Sequence, residues 1–155
     1  MSHYAANTQV PSDRSRGEIE RTLQRYGADQ FMCGWGNGEA ILAFRAEERN
    51  VQFRLPMPDR LAREFTHTPG RGNVRSVAQA DAAHQQAVRQ RWRALALVIK
   101  AKLEAVEAGI TEFESEFLAH ILLPDGTTVG QWAKPQLAHV YDDGGMLAIM
   151  PGGTQ

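Results

Sequence analysis

Val88, Trp92, Leu95, Ile99, Leu103 and Val106 recur at spacings of three and four, which draws one apolar stripe along a single long helix. Ser76 and Gln79 form a capping-box pair at its start, and the helix is expected to run to about Ala108, before Gly109. Within it "ALALVI" is apolar almost all round, so its middle is expected to be buried on more than one side. A sheet covers one side in this reading, and C-terminal helices or a second subunit cover the other. Residues 77–108 are therefore the expected seat of a homo-oligomer.

The remaining elements are built around that helix. Residues 1–14 are polar with Pro11 and read as an extended, partly mobile lead-in. Ser15 with Glu18 looks like the start of a first helix, with Ile19, Leu23 and Tyr26 at helical spacing and Gly27 as its stop. Next, "DQFMCGWGNGEAILAFRAEERNVQFRLPMP" alternates over three short runs. Asn37-Gly38 suits a type I′ turn, and Glu48 to Asn50 is expected to form a second polar turn. Phe31, Cys33 and Trp35, then Ala40, Leu42 and Phe44, then Val51, Phe53 and Leu55 fall on one face, with Arg45, Gln52 and Arg54 on the other. After the long helix, Thr111 and Glu114 are expected to cap a short helix through about His120, "LPDGTT" to turn, and Thr128 with Gln131 to start a last helix broken or kinked at Pro135. Residues 150–155 read as a flexible tail. The fold class expected is α+β: an N-terminal helix, a three-stranded antiparallel meander, a long helix and two short C-terminal helices, in a single domain over residues 1–155.

A chain of 155 residues can bury a core without staples, and 43% hydrophobic with 23% charged residues excludes disorder as the main state. No apolar run approaches the roughly 20 residues of a membrane helix, and "MSHYAANTQVPSDRSR" has no apolar core of a secretory signal, so no membrane partner is expected. A lone Cys33 fits the cytoplasm of a bacterial host cell. The formal net charge is -1, but only three of the 17 basic residues are lysine. Arginine suits bidentate binding of phosphate or carboxylate, although a GC-rich genome produces the same bias. Acidic residues gather toward the C-terminal half, so the field is expected to have a positive and a negative side.

Arg89, Arg93 and Lys100 lie within about 40° of one another around the long helix, a basic stripe that reads either as a solvated face or as a phosphate-facing ridge. The "GRGNVRS" loop adds Arg71, Arg75 and main-chain N–H groups beside the same helix N-terminus, where anions are favoured. Arg71, Arg75, Arg89 and Arg93 are expected to converge, with Arg54 as a further anion contact and Trp35 or Phe65 as a stacking surface. His67 in "THTP" lacks the His-x-Thr element of two-histidine phosphoesterases, and neither His120 nor His139 supplies one, so a phosphodiesterase-like enzyme ranks third among the readings. No metal site, cofactor or catalytic residue is assigned. The histidines are scattered, Cys33 reads as a small core residue, and no GxSxG or P-loop is present.

The segments "EIERTLQRYGADQF", "EFTHTP" and "RQRWRALALVIKAKLEAVEAGITEFESEFLAHILLPDGTTVGQW" resemble a family of uncharacterised small proteins encoded by bacteriophage and prophage genomes. The resemblance covers roughly residues 10 to 140 and carries no catalytic motif, so it implies a genomic setting rather than a mechanism. Such phage accessory proteins act in DNA metabolism or against host defence. The expected function is a non-enzymatic accessory protein that binds a nucleotide signal or nucleic acid. The alternative is a protein-protein inhibitor of a host or CRISPR-type defence complex, docking through Glu112, Glu114, Glu116, Asp142 and Asp143.

Overall fold

A computed structural model describes residues 3–145, with side chains from residue 13 onward. Helix α1 (His3–Tyr26) leads into β1 (Gln30–Gly36), β2 (Glu39–Ala46) and β3 (Arg49–Pro56). These are followed by α2 (Arg63–Thr66), α3 (Val77–Glu107), α4 (Phe113–Glu116), a 3-10 turn (Leu118–His120) and α5 (Val129–Gly144). The α+β order read from the sequence is the order found.

α1 begins at His3, so the stretch expected to be extended is helical from residue 3, and Ser15 and Glu18 lie inside the helix rather than at its start. The error has a simple source: residues three apart are also neighbours on the surface of a helix interior, so the pairing alone does not mark an end. At the other end the reading holds. Gly27 adopts φ 112°, and the N–H groups of Gly27 and Ala28 donate to Leu23 O at 3.1 and 2.9 Å.

The three strands form one antiparallel sheet in the order β1-β2-β3. Phe31, Phe44 and Val51 stand side by side in the register, as do Cys33, Leu42 and Phe53, which gives one apolar face. A slip of one residue would turn all of these side chains to the other face, so the hydrophobic pattern fixes the pairing. Asn37 and Gly38 turn at φ 54° and 75° as expected. The second turn is Glu47-Glu48, at φ 52° and 61°, and not Glu48 to Asn50. Keeping Phe44 opposite Val51 leaves a two-residue connection, and such a connection needs the left-handed conformation whatever residues occupy it.

α1 and α3 cover the apolar face of the sheet. Ile19 and Leu23 of α1 and Val88, Trp92, Leu95, Ile99 and Leu103 of α3 are buried with Leu42, Phe44, Val51 and Phe53. Each such large side chain contributes about 1.5–3 kcal/mol when removed from water. The core is closed from below by aromatics that the sequence reading did not single out: Phe117 meets Phe44 and Phe53 edge-on at 5.8 and 6.3 Å, and Phe113 stacks on Tyr26 at 5.8 Å. Ile121 then bridges to Val51, and Leu122 N–H donates to Asn50 O at 2.8 Å beside β3. α4 has Glu112 as its N-cap, with no side-chain cap bond, so Thr111 is not the cap.

Within "ALALVI", expected to be buried on more than one side, Leu95 and Ile99 are buried against α1 and the sheet, but among the described residues no C-terminal helix covers the other side. Leu97 is 59% exposed and Val98 44%, because α1 and the sheet together cover only part of the helix. α5 starts at the expected capping box of Thr128 and Gln131 and passes through Pro135 as one helix instead of breaking there. None of its residues is buried, and Trp132, Leu137, Val140 and Tyr141 are exposed. The tail at 150–155 lies outside the described residues.

Candidate functional site

Eleven of the 14 arginines fall into two groups, while Arg45, Arg63 and Arg71 form no ion pair among the described residues and lie outside the groove. Arg16 pairs with Asp13, Arg49 with Glu114, Arg54 with Glu39 and Arg60 with Asp81, while Arg91 donates to Pro56 O and Arg75 to Phe65 O. Arg14, Arg21, Arg25, Arg89, Arg93 and Lys100 form no ion pair among the described residues. All six line one feature, the groove where α1 lies along α3. An open volume of about 570 Å³ is bordered by Arg14, Arg89 and Arg93, and an adjoining one of about 500 Å³ by Arg21, Arg25 and Lys100.

The two helices run in the same direction, because Arg14 faces the 86–97 part of α3 and Tyr26 faces Leu103 and Glu107. On α1 the residues 14, 21 and 25 fall within about 40° of one another, on the side away from Ile19 and Leu23. On α3 the face carrying Arg89, Arg93 and Lys100 is likewise displaced from the buried stripe. The basic track extends about 16 Å along each helix, from Arg14 to Arg25 and from Arg89 to Lys100, at 1.5 Å per residue. Its other polar lining is rich in donors, with Ser15, Thr22, Gln24, Gln86 and Gln90, and Glu18 is the carboxylate within it. Glu104 and Glu107 close the track at the C-terminal end of α3.

Arg89 and Arg93 thus join a cationic surface, but their expected partners do not. Arg71 is exposed in the loop, and Arg75 is held with Nη1 3.4 Å from Phe65 O, near α2. Phe65 itself meets His84, and Arg89 and Arg93 lie roughly 140–180° around α3 from His84. Arg75 is therefore on a different side of the helix from Arg89 and Arg93 and does not converge with them. The loop also uses several of its main-chain donors itself. Thr68 N–H donates to Asn73 O, Asn73 N–H to Thr68 Oγ1, Arg75 N–H to Thr66 O, and the capping box engages Ser76 and Gln79 N–H. His67 Nδ1 lies 2.8 Å from Thr66 Oγ1, a local contact inside the same turn.

The two expected stacking residues also part. Phe65 is 5% exposed and packs edge-on against His84, so its ring is unavailable to a ligand, whereas Trp35 is 52% exposed at the end of β1. Arg54 is on the sheet face opposite the core, paired with Glu39 across the strands. Cys33 is half-buried, and burial pushes its thiol pKa up, so it is a poor nucleophile near neutral pH. Among the described residues no group of three or more His, Cys, Asp or Glu side chains could hold a metal ion, and no helix is long and apolar enough to cross a membrane.

Arg14, Arg21 and Arg25 are the members that the sequence reading missed. Their spacing of seven and four was a legible signal, but it is visible only if the helix is followed back through Arg14. No family model matches this chain, and no curated protein or solved structure matches it either.

Proposed function

We propose that the protein is a non-enzymatic binder of phosphate-bearing ligands, and that the α1–α3 groove holds the phosphate backbone of a nucleic acid. The observation that carries this reading is the clustering of charge: six cations that form no ion pair among the described residues share one groove, whereas Arg45, Arg63, Arg71 and Lys134 lie apart from it and Arg16, Arg49, Arg54 and Arg60 are each paired with an acid. An exposed arginine without a counter-charge gains most from a phosphate, since nothing has to be displaced. The shape favours a polymer over a single nucleotide. Small-molecule sites are concave and enclose most of their ligand, whereas this track is open and elongated. In the phage or prophage setting that the sequence resemblance implies, such a protein acts in nucleic-acid metabolism or against a host defence that depends on nucleic acid.

The docking alternative through the acidic C-terminal half has less support. Glu114 is engaged by Arg49, Glu116 by Lys102 and Asp143 by His139. Two of the five acids, Glu114 and Glu116, are thus offset by cations within the chain.

The test is a titration of labelled single- and double-stranded DNA and RNA against the protein at low and moderate salt, beside a thermal-shift series with mono-, di- and cyclic nucleotides. Salt-sensitive binding of an oligomer with no shift from nucleotides is the expected result. A salt-sensitive shift from one nucleotide class alone would move the site to a nucleotide signal. No binding by any of them would overturn the reading.

A further inference from the structure

β1 is an edge strand: it pairs with β2 on one side and, among the described residues, with no strand on the other. In a hairpin closed by two residues the flanking pair, here Gly36 and Glu39, exchanges both hydrogen bonds, so the alternation turns the N–H and C=O groups of Phe31, Cys33 and Trp35 outward. No main-chain partner takes these groups up among the described residues. Natural sheets protect such edges with charge, proline, a bulge or shortness. β1 has none of these: its seven residues, QFMCGWG, carry no charge and no proline, and its register with β2 runs unbroken from Gln30 to Gly36.

Beyond the groove and independently of it, we propose that this edge is a homodimer interface, with β1 paired antiparallel to β1 of a second copy about a twofold axis at Cys33. The two sheets then form one of six strands. The strand is complementary to itself in this register. Phe31 stands opposite the Trp35 of the other copy, and Trp35 opposite its Phe31, which gives two cross-strand aromatic pairs. On the opposite face Met32, 62% exposed, lies across from Gly34, whose missing side chain leaves open space within 4 Å. Large meets small twice, and the charges of α1 that lie beside Cys33, Arg16 and Asp13, are joined as an ion pair at 2.9 Å, so they bring no net charge to the axis. The exposed faces of α3 and α5 offer no comparable match to a defined occupant. Seven paired residues on each side make an interface below the standard size of roughly 800 Å² per partner, so the dimer is expected to form as concentration rises.

The experiment is light scattering on the full-length protein over a concentration series, combined with mild oxidation of the native Cys33. Facing residues of a hydrogen-bonded pair stand about 5.5 Å apart at Cα, within disulfide reach. The expected result is a mass rising from one chain toward two, and an oxidised covalent dimer that Cys33→Ser abolishes while the non-covalent dimer persists. Met32→Lys, at an exposed position, should return the protein to a monomer with unchanged circular dichroism, and Trp35→Lys should repeat this from the other end. A monomer at every concentration, a dimer that survives both lysine variants, or a dimer that cannot be crosslinked through Cys33 would each overturn the proposal. An extended peptide from another protein as the true occupant would give the first of these outcomes.

Discussion

Replacing Arg89 and Arg93 together with alanine separates a binding role from a structural one. Both side chains are exposed, neither forms an ion pair, and Arg89 makes one long 3.4 Å bond to Gln86. Their loss should therefore change stability by no more than about 0.5 kcal/mol, or about 1–2 °C in Tm for a chain of this size. Binding should respond in its salt dependence. If all six groove cations neutralise phosphates of a duplex, the slope of log K against log salt is about -5, and removing two reduces it to about -3.5. Between 50 and 200 mM salt the unaltered protein should lose about 10³-fold in affinity and the double variant about 150-fold. The assay is fluorescence anisotropy with a labelled duplex at several salt concentrations, with Arg54→Ala as the control, since Arg54 is already paired with Glu39. An unchanged slope in the double variant would refute the assignment of the groove, and a large fall in Tm would assign the two arginines to packing.

Glu47 and Glu48 both hold positive φ, so Glu47→Asn with Glu48→Gly should raise stability by about 1 kcal/mol in chemical denaturation; a loss would mean that the glutamates support the turn in some other way. Phe117 is fully buried beneath Phe44 and Phe53, and Phe117→Ala should cost about 3–5 kcal/mol, read from the same denaturation curves. His120 stacks on Phe53 at 4.1 Å, and burial first, then Lys102 and Lys134, lowers its pKa below the ordinary 6.5. The folded state then binds its proton less readily than the unfolded state. Stability should be fullest above pH 6.5 and should fall as pH drops from there toward the folded value, and His120→Phe should flatten that part of a Tm-against-pH profile.

The fold was legible where one pattern had one meaning. The period-two alternation admitted a single register, and the capping boxes at Ser76 and Thr128 were followed by helices. Ser15 with Glu18 failed because the same spacing occurs inside helices, and that failure hid the arginine face that begins at Arg14. Half of the groove was readable, since Arg89, Arg93 and Lys100 share a face of one helix. The other half depended on which helix packs beside it, a long-range fact that no local pattern contains. Arg75 is close to α3 in sequence, yet the loop turns it to another side, where its side chain bonds to Phe65 O and its N–H to Thr66 O.

α5 divides the molecule into parts of unequal resistance to opening. None of its 16 residues is fully buried, and it is seated at its first turn: by the Thr128–Gln131 box, by Val129, which packs partly against the core, and by the close approach of Gly130 to Ala119, where a Cβ would come within 2.9 Å of the carbonyl oxygen. A helix of this length is marginal without tertiary support. Its amide protons are therefore governed by local fraying and not by the global unfolding that protects α3, so α5 can open and close many times while the sheet and its two covering helices stay folded.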